Sequence, residues 1–360
     1  MTQAEERLLA EMAEQPEVIR RLIATAPPAI DRVVDRLRAT GSWAIVLCAR
    51  GSSDNAAVYA RYLLEVRARR LVSLAAPSTI TIYGSGPALA RTTVIGISQS
   101  GRGKDVVAYV KSAHEQGALT VAVVNSPTSP LAQSAEFVLE LDAGEEVSVP
   151  ATKTLVAEMT VMAMLADTLA GSPPRLIAAL PDAVERALQL RPQAKALAEH
   201  LANVQSAAVV GRGFGYAAAL ETGLKLKEMA GIHAESFSGA DFFHGPVALI
   251  NAQHPVLLVD VGGASTAAVL TTAEEIHRRG GAPLLLRAGE FRPGPESYPC
   301  LQLPMRELPE AYAPIAAVVL GQLVAYEAAL LRGVSPPAPG GCRRSPAPCS
   351  RRRPGRYFGP

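Results

Sequence analysis

The chain alternates short apolar blocks with longer stretches whose apolar positions fall three and four residues apart. The first block, Ala44–Cys48 (AIVLC), runs into Arg50-Gly51-Ser52-Ser53. An apolar run of that length, closed by turn residues, predicts a buried strand. Residues 55–67 have helical spacing and 71–75 predict a second strand. A third, 93–97 (TVIGI), ends in Ser98-Gln99-Ser100-Gly101. A helix over 105–116 follows, then strands over Leu119–Val124 and 137–141. Strand, turn and helix in this order predict parallel βαβ units. The first 25 residues predict helix broken near Pro16.

The same order returns downstream. AAVV over 207–210 closes in Gly211-Arg212-Gly213, a helix is predicted over 216–229, and further strands over 255–261 and 283–286. Arg50-Gly51 falls on Arg212-Gly213 and Gly117-Ala118 on Gly281-Ala282, so the offset drifts little. This predicts an internal duplication of one doubly wound α/β domain, against the alternative of two Gly-rich turns aligned by chance. The halves differ at the end of the third strand. Ser98-Gln99-Ser100-Gly101 in the first corresponds to Gly262-Gly263-Ala264-Ser265 in the second. Open α/β sheets bind ligands at the carboxyl ends of their strands, and only one copy carries hydroxyls and an amide there.

Composition narrows the class. Of 360 residues, 49% are apolar and 19% charged, which excludes an extended disordered chain. Aromatics at 5% suit helices packed on sheets better than an aromatic-rich sandwich. The formal charge is +2, but residues 341–360 hold six Arg and no acid, so the body is mildly acidic. No domain-wide basic footprint for nucleic acid is present. Cys48, Cys300, Cys342 and Cys349 show no metal-ligand spacing, and no secretory signal pattern precedes residue 25. A reducing cytoplasm is the expected compartment. The nearly apolar run 311–326 is short for a bilayer and predicts a buried helix, not a membrane contact.

Two stretches carry candidate chemistry. A strand that ends in Ser98-Gln99-Ser100-Gly101 and enters a helix offers unpaired N–H groups, the positive end of the helix dipole, two hydroxyls and an amide. Ser52 and Ser53 lie at the neighbouring strand end, and together these predict a phosphate site. Each Ser alone reads as readily as a helix N-cap. No Walker lysine pattern and no GxGxxG follows the first strand, which favours a small phosphate ester over a nucleotide. The second stretch holds Lys225 and Glu228, three residues apart on one helix face, then His244 before a Gly-Pro turn. The carboxylate is placed to move a proton between adjacent carbons, and His244 suits acid–base work near neutral pH. On spacing alone, Lys225 and Glu228 form a solvated surface pair and His244 is a structural loop residue.

Taken in order, these motifs resemble the paired sugar isomerase (SIS) domain family. They are Glu14-Gln15-Pro16, Ser98-Gln99-Ser100-Gly101, Ala143-Gly144-Glu145-Glu146 with Thr152-Lys153, Lys225-Leu226-Lys227-Glu228, His233-Ala234-Glu235 and His244-Gly245-Pro246. The resemblance spans about residues 10–335. It is to the isomerase half of glucosamine-6-phosphate synthase and, more closely, to stand-alone double-SIS glucosamine-6-phosphate deaminases. It implies two tandem flavodoxin-like α/β domains, each a parallel sheet with helices on both faces. The expected layout is a lead-in helix over 1–30, a sugar-phosphate-binding domain over 31–172 and a linker over 173–198. A domain with the catalytic residues over 199–335 and an irregular tail over 336–360 complete it.

The resemblance also implies roles. Ser52, Ser53, Ser98, Gln99, Ser100, the backbone at Val149 and the position of Gly103 line the sugar-phosphate site. Glu228 moves the proton between C1 and C2, Lys225 lies beside the substrate, and His244 helps open the ring from the neighbouring subunit of a homodimer. No metal or organic cofactor is expected, because enolisation needs only an acid–base pair and a group that polarises oxygen. The implied function is aldose–ketose isomerisation with ammonia release on glucosamine 6-phosphate or a close relative. A non-catalytic sugar-phosphate sensor and a deglycase of glycated amino acid phosphates are the alternatives.

The departures are specific. Gly103 stands where the synthase has Thr, flanked by Arg102 and Lys104, and Ala151 where it has Ser. No Met-Cys-Gly start and no glutaminase domain is present, so ammonia from glutamine is not expected. No Lys follows Lys227, whereas the family closes its pocket with a C-terminal lysine segment. Residues 336–360 hold seven Pro and predict an unpacked tail, read as a frame slip or as a basic segment for an acidic partner.

Overall fold

A computed structural model describes residues 2–172, 177–291 and 298–335. The predicted tail lies outside the described residues. Among the described residues, ten strands form two parallel five-stranded sheets. The first has the order β2-β1-β3-β4-β5, with β1 Ala44–Cys48, β2 Leu71–Leu74, β3 Thr93–Ser98, β4 Leu119–Val124 and β5 Phe137–Glu140. The second has the order β10-β9-β8-β6-β7, with β6 Ser206–Gly211, β7 His233–Ser238, β8 Val256–Asp260, β9 Pro283–Gly289 and β10 Cys300–Pro304. Counted from each half's start, the two orders are identical, which is the predicted duplication of a flavodoxin-like α/β unit.

The central strands are continuous apolar runs because helices cover both faces of a parallel sheet. Every residue of β1, β4, β8 and β9 is buried. The apolar pattern does not reveal β7 and β10. Both lie at sheet edges, and β10 alternates buried Leu301 and Leu303 with less buried neighbours. In β7 (HAESFS) only Ala234 is buried. An edge strand has less of its surface covered, so its sequence lacks the solid apolar block.

The lead-in is three helices, Gln3–Ala13, Gln15–Thr25 and Pro27–Thr40, and the last crosses the expected boundary at residue 30. The first break falls at Glu14, with Pro16 in the first turn of the next helix, where its missing N–H costs nothing. Thr2 and Glu5 form a capping box at the start: the Glu5 N–H donates to Thr2 Oγ1 at 3.3 Å and the Thr2 N–H to Glu5 Oε2 at 2.7 Å. Part of the expected linker is helical as well, over Leu180–Gln189 and Arg191–Ala198.

Two buried helices fix the site. Lys153–Ala170 packs against the helices Gln15–Thr25, Pro27–Thr40 and Ser52–Val66, with all but two of its 18 residues buried. Ala313–Leu331 is long and apolar enough by composition to span a bilayer, with a mean hydropathy of 1.7, but it is packed inside the protein. It lies against the helix Gly215–Ala230. At the contact, a Cβ on Gly321 would come within 2.2 Å of Thr222 Oγ1, so Gly lets the two helices approach. This contact holds the helix that carries Lys225 and Glu228.

Candidate active site

The crevice forms where β1 and β3 end side by side, paired as far as Cys48 with Gly96. Gly51, at φ 61°, turns the chain from β1 into the helix Ser52–Val66. Ser52 and Ser53 open that helix and reach different partners. The Ser52 hydroxyl donates to Glu221 Oε1 at 3.1 Å and accepts from Lys225 Nζ at 3.1 Å. Asn55 Nδ2 donates to the other Glu221 oxygen at 2.7 Å. The Ser53 hydroxyl donates to Glu158 Oε1 at 2.8 Å, and the backbone N–H of Gln99 donates to the same carboxyl group. Ser52, Asn55, Glu221, Lys225 and Glu228 are thus tied into one network that spans both halves, with Ser53, Gln99 and Glu158 bonded to one another beside it.

Lys225 differs from the spacing-based reading. It is wholly buried, not a solvated partner of Glu228. Its ammonium lies 3.1 Å from Glu221 and 2.6 Å from Glu228. Burial disfavours the charged form, but the two carboxylates more than offset it and raise the pKa. Lys225 is therefore a fixed cation with its lone pair occupied by a proton, suited to electrostatic stabilisation and not to nucleophilic attack. Glu228 is different again: 31% of its side chain is exposed, so it faces the crevice while anchored on Lys225.

The loop after β3 is internally braced. Ser98 Oγ accepts from the Gly101 N–H at 3.2 Å, and Ser100 Oγ accepts from the Arg102 N–H at 3.3 Å. Gly101, at φ 59°, has no room for a side chain, since a Cβ would come within 2.1 Å of Ser129 Oγ. The helix that follows, Lys104–Glu115, begins at Gly103 with no side-chain cap. The serines are therefore not its N-caps, and of its first amides that of Val106 donates to Asp105 Oδ1 at 3.0 Å. Asn125 links this loop to the next: its N–H donates to the Gln99 carbonyl at 3.1 Å and its Nδ2 to the Gly144 carbonyl at 2.7 Å. The following loop is pinned by Glu11, which accepts from the N–H groups of Val147 at 2.7 Å and Ser148 at 3.2 Å, leaving Val149 exposed. Lys153, buried, pairs with Glu14 at 2.6 Å.

His244 is not joined to this network. It follows the short helix Gly239–Phe243, is exposed, and its ring has no hydrogen-bond partner among the described residues. Two carboxylates that motif reading passed over are central. Glu221 lies four residues before Lys225, a spacing that puts both on one helix face. Glu158 is a charged residue in the apolar middle of Lys153–Ala170, where a buried carboxylate is itself a signal. Burial first, then the nearby carboxylates of Glu146 and Glu221, push Glu158 up to about 8, although Ser53 and Gln99 donate to it.

Fold and site together define a duplicated α/β chain whose first half carries hydroxyls at its strand ends. The family model for the SIS domain matches twice, over residues 41–167 and 200–332, and the chain belongs to that family. It is 32% identical over 343 residues to glutamine–fructose-6-phosphate aminotransferase [isomerizing] of Pyrococcus horikoshii, covering 92% of this chain and 56% of that protein. The chain thus spans about half the length of the curated relatives it matches. A Silicibacter pomeroyi protein provisionally assigned as a phosphosugar isomerase superimposes with a TM-score of 0.83 at 29% identity, covering 92% of this chain and 99% of that one. The C-terminal domain of glucosamine-fructose-6-phosphate aminotransferase from Francisella tularensis shares the fold, with a TM-score of 0.80 at 24% identity over 92% and 98% of the two chains.

Proposed function

We propose that this chain is a sugar-phosphate isomerase acting on amino-sugar phosphates, with glucosamine 6-phosphate or a close relative as substrate and ammonia as a product. The observation that carries this reading is the buried Lys225 ammonium that presents the half-exposed Glu228 to a crevice lined by Ser52 and Ser53. A surface that only bound sugar phosphate would have no use for a fixed cation and a poised carboxylate. The names of the relatives support the substrate class.

In the proposed reaction the phosphate rests on the loop of Ser98, Gln99 and Ser100, with Ser53 beside it. Glu228 removes the proton from C2 of the ring-opened aldose, and the electron pair moves to give an enolamine. Lys225 stabilises the charge that develops on oxygen. Return of the proton to C1 leaves an imine at C2, and water hydrolyses it to the ketose phosphate and ammonia. A positioned acid or base of this kind contributes about 10²- to 10⁴-fold. His244 assists ring opening from the partner subunit of a homodimer, a role consistent with its exposure and with exposed Phe243 and Leu249 around it.

Ammonia release from a panel of amino-sugar phosphates tests the reading. Turnover of glucosamine 6-phosphate or a close analogue is expected. Tight binding of the panel with no ammonia release and no exchange at C2 would identify a sensor instead. The quaternary part has its own test. Glu228→Gln and His244→Ala subunits, each inactive alone, should regain partial activity when mixed and re-paired.

A further inference from the structure

The sugar-phosphate reading gives Ser53 a task that its present hydrogen bond prevents. A serine hydroxyl has one proton. While Glu158 is ionised that proton goes to its Oε1, 2.8 Å away, so Ser53 offers the crevice only lone pairs, which repel phosphate oxygens. An ionised Glu158 accepts and cannot donate. A protonated Glu158 can donate to Ser53 Oγ, which frees the serine proton for the ligand.

We infer that Glu158 is a positioning residue that sets the direction of the Ser53 hydroxyl, so that binding of a sugar phosphate is coupled to proton uptake at Glu158. The geometry supports this in three ways. Glu158 is 1% exposed and does not face the crevice, so it acts through Ser53. It also accepts the Gln99 N–H, so it joins the two strand ends that would hold the phosphate. The charged groups around it are mostly of its own sign. Glu146 faces it from the loop before its helix and Glu221 from the helix Gly215–Ala230. The nearby cation, Lys225, is committed to Glu221 and Glu228. Arrival of a phosphate dianion adds further negative charge and favours the neutral carboxyl. Burial and these carboxylates already hold Glu158 up at about 8, within reach of ordinary buffers.

This inference rests on the phosphate reading of the crevice, and the experiment separates the two. Fructose 6-phosphate is the probe, since it carries no amine and its phosphate has lost its second proton well above a pKa of about 6. Its affinity for the parent chain should fall about tenfold between about pH 7 and about pH 9, as the binding-competent protonated fraction shrinks. Glu158→Gln carries a permanent N–H donor for Ser53, so its affinity should stay flat over that range. Calorimetry of the parent in two buffers of different ionisation enthalpy should register uptake of most of one proton at about pH 8.5, a readout that needs no variant. Unchanged binding in Ser53→Ala would overturn the phosphate reading itself. Weakened binding in Ser53→Ala, with a flat profile and no proton uptake in the parent, would leave the site standing and sink the role of Glu158.

Discussion

The ends of β3 and β8 occupy the same place in two sheets of the same order, yet they dispose of their polar groups in opposite ways. After β8, the chain's own carboxylates take up the local donors. Asp260 accepts from the Gly262 N–H at 3.0 Å, from Thr266 Oγ1 at 2.8 Å and from Arg287 Nε at 3.0 Å. Glu310 accepts from the Ala264 N–H at 3.2 Å. After β3, small hydroxyls brace the loop, Ser98 and Ser100 accepting from the Gly101 and Arg102 N–H groups, while Glu158 accepts from the Gln99 N–H and Asp105 from the Val106 N–H. Topology makes a crevice in both halves. The loop residues decide which groups satisfy the donors at each strand end.

The comparison is broken most severely at Glu228. Glu228→Gln keeps the shape and the contact with Lys225 but cannot accept a proton. Exchange of the C2 proton with heavy water, followed by NMR, should slow by about 10²- to 10⁴-fold while the fold is unchanged. Exchange at the parent rate would make Glu228 a bystander.

The second half contains two buried ion pairs, one beside the first half's serines and one at the end of β8, and cutting each tests their different duties. Lys225→Met leaves Glu221 buried and unpaired, and Asp260→Ala does the same to Arg287. Each should cost about 3–5 kcal/mol in denaturant unfolding. Turnover per folded molecule should collapse only for Lys225→Met. Equal loss in both would mean that the second crevice also takes part in the reaction.

A smaller effect is expected at the anion loop. Ser98→Ala with Ser100→Ala should weaken sugar-phosphate binding by about 1–3 kcal/mol, the usual worth of hydrogen bonds to a charged group. Ser265→Ala, at the matching place in the second half, should leave calorimetric affinity unchanged.

The mildest test concerns stability against pH. Burial holds the Glu158 carboxyl up at about 8 in the folded chain against 4.5 for an ordinary glutamate, so the folded state holds the extra proton between those values. Stability from this group is present at low pH and lost as pH rises through that window. Glu158→Gln has no such proton. Its melting temperature should therefore decline less than the parent's between about pH 5 and about pH 8.5.

How far the sequence could be read varies with the kind of structure. Central strands are apolar on both faces and show as solid blocks, whereas the edge strands β7 and β10 lack that block and escape notice. The offset between Arg50-Gly51 and Arg212-Gly213 was enough to reveal the duplication, because tight turns at strand ends need Gly in both copies. In the site, Ser52, Ser53, Ser98, Gln99 and Ser100 stand out as hydroxyls and an amide at strand ends. Glu158 and Glu221 do not, because their meaning comes from partners far away in the chain. Ser53 lies 105 residues from Glu158, and Ser52 169 from Glu221.

By itself the sequence determined the αβ alternation, the doubling of the unit and which strand ends carry hydroxyls, since these depend on residue type and on spacing within a single element. Only the tertiary structure decided that Lys225 is a buried cation, that Ser53 is hydrogen-bonded to Glu158, and that Asp260 and Glu310 take up donors after β8. The reason is electrostatic. Spacing fixes which side chains share a face of one helix, but burial and charge state depend on what the neighbouring elements bring against that face.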